Sequence, residues 1–209
     1  MSEKRLYPQY PLMNADILAE YDIDHLAYRG VRLPEKLMLY AFVCMLHPHR
    51  VLEIGISRGH STAWIARGLA DHCSMGIDPK RHKAGAKLVA VDNWSKDGGG
   101  WADGPDPTIQ RLKDTNLSKY VEIVSSDSQK YMKEQSDNSF DMIWIDGNHA
   151  EEAVRADIHE ARRLTKGIII VHDICSPEVP GVRKVCTEIG GGVFLDGERG
   201  MWIHMGDLT

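Results

Sequence analysis

Cysteine is scarce in this chain. The 209 residues hold four, Cys44, Cys73, Cys175 and Cys186, and no two stand in Cys-x-x-Cys spacing. A chain of this length can bury a core without covalent staples, so a disulfide scaffold is excluded and reduced thiols in the cytoplasm are expected. Long hydrophobic runs are also missing. The longest aliphatic stretch, GIIIV at 167–171, falls far short of a bilayer's thickness, and the opening MSEKRLYPQY lacks the apolar centre of a signal peptide. Positive charge is in deficit: 25 Lys and Arg against 30 Asp and Glu give a formal net charge of -5. That balance disfavours a nucleic acid or an anionic membrane surface as partner. The ten histidines form no tract, and neither an internal repeat nor a low-complexity tail is present.

What the chain does contain is alternation. Residues 1–33 show no strong period beyond a short helix near 14–20. Pro34 suits the first turn of a helix over 34–46. Strands are then expected at 50–55, 86–92, 120–126, 140–147 and 166–173, with helices at 60–70, 108–117, 128–135, 150–164 and 180–189 between and after them. Asn148 is placed to cap the helix at 150, and Glu151 and Glu152 fall in its first turn, where the helix dipole favours acids. Two more strands flank DGERG (196–200). The expected fold is α/β, a doubly wound, mostly parallel seven-stranded sheet with a C-terminal antiparallel strand. Residues 1–49 would form a helical segment packed on a domain at 50–209.

In such sheets ligands bind beyond the carboxyl ends of the strands, where the strand order reverses. The first candidate is VLEIGISRGHST (51–62), an apolar strand ending in Glu53 and followed by Gly55 and Gly59. This is not the Gly-x-Gly-x-x-Gly of dinucleotide folds. Ser57 stands where the second glycine would let a pyrophosphate approach, which argues against NAD. Glu53 would repel a phosphate and attract a cation. A strand-to-helix turn with no ligand is the alternative.

The pattern Glu-x-Gly-x-x-x-Gly-x-Ser resembles motif I of class I S-adenosylmethionine (SAM) methyltransferases, and is most similar to the branch of cephamycin and macrolide-sugar O-methyltransferases. LVAVDNW resembles that family's second strand, IVSSDS its third, and IWIDGNHAEEAVRADI and GIIIVHD its fourth and fifth, so the likeness spans roughly 50–205. It implies a SAM site at Glu53, Gly55, Ser57, Gly59, Ser61, Asp92, Trp94, Asp127, Ser128 and Asp146. Asp92 would take the ribose hydroxyls, and Asp127 and Ser128 would border the adenine. The chemistry of the residues agrees: Glu53 can meet the cationic end of SAM, and glycine backbone can come close to its carboxylate and ribose. Asp78, in GIDPK, rivals Asp92 as the second strand's acid. With Asp92 chosen, 71–85 becomes an insertion.

A second group of polar residues gathers at the later strand ends. Asp146 and Asp173 end successive strands, whose ends would lie about 5 Å apart if the strands are adjacent and parallel; His172 precedes Asp173 and His149 follows Asp146. Carboxylates and imidazoles in that arrangement suit Mg²⁺ or another divalent cation. The resemblance implies a cation held by Asp146, His172 and Asp173, with His149, His172 and Asp146 acting in catalysis. A helix cap at Asp146 and a turn at Asp173 are the simpler alternative. Trp94 and Trp101 lie in the glycine-rich loop 93–107, which would be a lid or a surface loop with one indole on the adenine edge.

Three functions are therefore open: a metal-assisted SAM-dependent O-methyltransferase acting on a small hydroxylated molecule such as a sugar or secondary metabolite, a nucleotide-sugar or NAD-linked enzyme, and a non-catalytic SAM-binding protein. The first is preferred. Its relatives commonly form homo-oligomers, and the same is expected here.

Overall fold

A computed structural model describes residues 31–74, 85–95 and 104–206, with side chains omitted for 72–74. The helix expected near 14–20, the rival acid Asp78 and Trp101 all lie outside the described residues. The elements run α1 (Leu33–Leu46), β1 (Arg50–Ile54), α2 (His60–Ser74), β2 (Lys87–Asp92), α3 (Asp106–Asp114), a 3₁₀ turn (Ser118–Tyr120), β3 (Val121–Ser125), α4 (Ser128–Lys133), β4 (Met142–Ile145), α5 (Glu151–Leu164), β5 (Ile168–His172), α6 (Gly181–Ile189), β6 (Gly192–Leu195) and β7 (Met201–Met205).

The seven strands form one sheet in the order β3-β2-β1-β4-β5-β7-β6. β3 through β5 run parallel, and β7 lies antiparallel to both of its neighbours. The expected class and the C-terminal antiparallel strand are both present. Order reverses between β1 and β4, which pair directly from Val51 with Met142 to Ile54 with Ile145.

The strands read as near-continuous apolar runs because both faces are covered. Side chains alternate across the sheet, so neighbouring strand residues join different cores. Leu52, Ile54, Val89, Val91, Ile143 and Ile145 pack with Val154, Ile158 and Ala161 of α5 and Val182 and Val185 of α6. Val51, Leu88, Ala90, Met142, Trp144 and Ile170 pack on the opposite face with Leu39 and Val43 of α1 and Ile65 and Leu69 of α2. α1 is thereby part of the main core, its Leu39 and Val43 fully buried.

Local chemistry sets the element ends. Asp127 caps α4 by accepting from the Lys130 amide at 2.9 Å. At α5 the cap residue is Ala150, and Asn148 instead accepts from the Ala150 amide at 3.0 Å, a turn one step before the helix. No helix among the described residues is long and apolar enough to cross a membrane.

Candidate functional site

The carboxyl ends of β1, β2, β4 and β5 open on one edge of the sheet, and most of the sequence candidates meet there. Gly55 follows β1 with φ +89°, and a Cβ on it would lie 2.2 Å from the Asp146 carbonyl oxygen. Gly59 has φ +75°, and a Cβ there would lie 2.5 Å from Thr108 Cγ2. Both glycines are thus demanded by the protein's own packing. The first brings the ends of β1 and β4 together; the second lets α3 close on the turn.

Asp92 organises that turn. One carboxylate oxygen accepts from the Ile56 and Ser57 amides at 2.8 and 2.9 Å, and the other from the Trp94 amide at 2.6 Å. Oδ1, which accepts once, has a further lone pair for a ligand hydroxyl. Ser57 and Trp94 both adopt positive φ, 51° and 47°, and the Trp94 indole N–H reaches the Ser57 carbonyl at 3.4 Å. Asp127 and Ser128 stand beyond β3, next to Asp92. Their side chains are used locally, Asp127 as the α4 cap and Ser128 donating to the buried Asp157 at 3.1 Å.

Glu53 is fully buried, with Oε1 accepting from the Ser61 hydroxyl at 2.5 Å. Its Oε2 is buried without a hydrogen-bond partner. Burial pushes its carboxyl up to about 8; Asp146 and Asp92 add to the rise, while the Ser61 and Thr62 hydroxyls offset part of it. A buried carboxyl with one unsatisfied oxygen is suited to a cationic ligand group.

Asp146, His149 and Asp173 form the second half of the site. One ligand atom from each lies within 4.8 Å of the others. His149 Nε2 is 3.1 Å from Asp173 Oδ2 and 3.4 Å from Asp146 Oδ1. Neither approach is aligned as a hydrogen bond, and Asp173 Oδ1 is also buried without a hydrogen-bond partner. Asp173 adopts positive φ, 62°, which turns it back toward the cluster. Two carboxylates and one imidazole, with Asp173 Oδ1 and His149 Nε2 unsatisfied, fit a divalent cation.

His172 borders the same carboxylates but is engaged on both sides of its ring. It is the last residue of β5, its ring against Trp144 at 5.1 Å between centroids, and both ring nitrogens are engaged. Nδ1 meets Asp146 Oδ1 at 3.2 Å, and Nε2 meets Glu35 Oε2 at 3.0 Å. His172 Nδ1 also lies 3.7 Å from Asp173 Oδ1, but with both its nitrogens engaged the groups whose ligand atoms gather are Asp146, His149 and Asp173, His149 taking the place of the sequence-expected His172. The physical reason is the pleat: His172 points into the layer beneath the sheet edge, where α1 covers it.

The charges interlock. Burial opposes protonation of His149 and His172, but Asp146, Asp173 and, for His172, Glu35 outweigh it and hold the imidazoles at about 9 and about 10. Burial likewise favours a neutral Asp146, and the two imidazoles reverse this and keep its carboxyl below the ordinary range. At neutral pH His149 therefore holds a proton in the place a cation would take.

Sequence reading missed Glu35 and Arg199. Glu35 sits in α1 and is 5% exposed. In sequence it looks like a first-turn acid facing water, and no local signal sets it apart. Arg199, in the β6–β7 turn, donates to Ser176 Oγ at 2.7 Å and lies 3.6 Å from Asp173 Oδ1.

A family model described as a methyltransferase domain matches residues 52–174. No curated protein matches the chain in sequence. Solved structures share its fold. Cofactor-bound Rv0187 from MTB is 20% identical over 95% of this chain and 91% of its own, with a TM-score of 0.65. The O-methyltransferase from Bacillus cereus in complex with SAH is 20% identical over 95% and 92%, with a TM-score of 0.62. The O-methyltransferase TomG from Streptomyces achromogenes, involved in tomaymycin synthesis and in complex with SAM, is 18% identical over 97% and 92%, with a TM-score of 0.61.

Proposed function

Because the chain belongs to the methyltransferase-domain family, we propose that it is a SAM-dependent O-methyltransferase, assisted by a divalent cation and acting on a small hydroxylated molecule. The observation that carries this reading is adjacency. The buried, half-satisfied Glu53 and Asp92, which holds the β1–α2 turn, stand at the carboxyl ends of β1 and β2, and the Asp146–His149–Asp173 cluster lies beside them at the ends of β4 and β5.

SAM, when bound, supplies an activated methyl group on a sulfonium. Glu53 would hold its cationic end, and Asp92 would accept from a ribose hydroxyl. Trp94 closes one side of the pocket, and Asp127 and Ser128 mark the adenine edge. A divalent cation held by Asp146, His149 and Asp173 would lower the pKa of an acceptor hydroxyl. His149 Nε2, without a hydrogen-bond partner and 3.4 and 3.1 Å from the Asp146 and Asp173 carboxylates, supports a ligand role once its proton is displaced. The match to motif I supports placing the chain near the cephamycin and macrolide-sugar branch. The acidic net charge supports a small acceptor rather than a nucleic acid. A cytoplasmic homo-oligomer completes the proposal.

The test is calorimetric titration of SAM into the protein in EDTA, then in excess Mg²⁺ or Mn²⁺. Binding of equal strength in both is expected, with the cation on the acceptor side. Absence of binding in both would refute the methyltransferase reading.

A further inference from the structure

Glu35 lies outside the residues that the family model matches, yet it is the most heavily hydrogen-bonded carboxylate near the site. Oε1 accepts from the Gly200 and Arg199 amides at 2.8 and 3.2 Å. Oε2 accepts from the Arg32 amide at 2.9 Å and from His172 Nε2 at 3.0 Å. These partners come from three places: the start of α1, the end of β5 and the β6–β7 turn. Two arms lead on from Glu35 to the cluster. One runs through the His172 ring to Asp146 Oδ1. The other runs through the backbone of the turn to Arg199, whose guanidinium stands 3.6 Å from Asp173 Oδ1.

A buried acid on a helix is costly unless satisfied. Here four donors satisfy it, and two of its partners border the two carboxylates at the candidate cation site. We propose that Glu35 is a positioning residue for that site: through His172 it fixes the Asp146 carboxylate, and through the Arg199–Gly200 turn it fixes Asp173. This rests on reading Asp146, His149 and Asp173 as cation ligands. Partners behind a ligand commonly change metal affinity 10–100-fold when removed.

The experiment compares wild type with Glu35→Gln, His172→Gln, the double variant and Leu39→Ala, measuring Mn²⁺ affinity by electron paramagnetic resonance, SAM affinity by calorimetry in EDTA, and urea midpoints. Gln at 35 keeps an oxygen for the turn amides and presents an NH₂ to His172. Expected is a Mn²⁺ affinity about 10–100-fold weaker in Glu35→Gln, with SAM affinity within about twofold. His172→Gln, one link nearer the site, gives the same loss, and Glu35→Gln adds less than about twofold in its background. Leu39→Ala loosens α1 and lowers the urea midpoint but leaves Mn²⁺ affinity unchanged. Wild-type Mn²⁺ affinity in Glu35→Gln would overturn the proposal, as would independent, multiplying effects or an equal Mn²⁺ loss in Leu39→Ala. If wild type itself binds no Mn²⁺, the cation reading fails separately. Glu35 is then judged by the urea cycle with Asp146→Asn, where non-additive midpoints support positioning and additive ones overturn it.

Discussion

Glu53 offers a prediction that needs no knowledge of the acceptor. Its carboxyl is buried at the end of β1 and pushed up to about 8. At pH 7 such a group carries about nine-tenths of a proton. A cationic group of SAM about 4 Å away would attract the carboxylate by roughly 4 kcal/mol at an effective dielectric constant near 20. That is about three pH units, enough to bring the group near 5 and ionise it almost completely. SAM binding at pH 7 should then release about 0.9 proton. The assay is calorimetric titration in phosphate, imidazole and Tris buffers, the slope of observed enthalpy against buffer ionisation enthalpy giving the protons released. The slope should shrink toward zero at pH 9.5, where Glu53 is already ionised, and vanish in Glu53→Gln. Measurable SAM binding at pH 7 with a wild-type slope near zero, or an undiminished slope in Glu53→Gln, would refute the reasoning. The sign for folding follows from the same shift. A carboxyl raised in the folded state costs stability as pH climbs from its ordinary value to about 8, so Glu53→Gln should gain on wild type over that range in urea melts.

Other expectations follow from the same geometry. Gly55→Ala places a Cβ 2.2 Å from the Asp146 carbonyl oxygen at φ +89°; a loss on the order of 3 kcal/mol or more is expected in urea unfolding, and a loss under about 1 kcal/mol would show that β1 and β4 can part freely. Asp157, 1% exposed, is raised to about 6, chiefly by burial, against hydrogen bonds from Gln129 and Ser128. Its cost to stability grows as pH rises from about 4 to 6, so Asp157→Asn should exceed wild type by on the order of 2–3 kcal/mol at pH 7 and by nothing near pH 3; equal pH profiles would contradict this. Asp173→Asn should weaken Mn²⁺ binding by about 100-fold or more while sparing SAM. Because a cation must displace the His149 proton, wild-type Mn²⁺ affinity should rise with pH up to about 9, and a flat profile would remove His149 from the ligand set.

The fold was legible because its signals are local. Apolar runs at 88–91, 142–145 and 168–171, and one at 51–54 broken only by Glu53, alternate with amphipathic segments, and a strand buried on both faces advertises itself as a near-continuous hydrophobic stretch. Boundaries were less so. The helix expected at 108–117 begins at Asp106 and gives way to a 3₁₀ turn at Ser118–Tyr120, since fraying and turn chemistry depend on neighbours rather than period.

At the site the division is sharper. Chain order and strand direction alone determined that Glu53, Asp92, Asp146 and Asp173 end parallel strands at one edge, because parallel strands with right-handed crossovers must place their carboxyl ends together. Which imidazole is left for a cation was decided only by the tertiary structure. His172 directly precedes Asp173 and His149 follows Asp146 by three residues, but the fold engages both His172 nitrogens, with Asp146 and Glu35, and leaves His149 Nε2 without an aligned hydrogen bond beside Asp146 and Asp173. Glu35 shows the same limit across a longer span. It is separated from His172 by 137 residues, and no local pattern can announce a hydrogen bond that exists only once α1 has packed on the sheet.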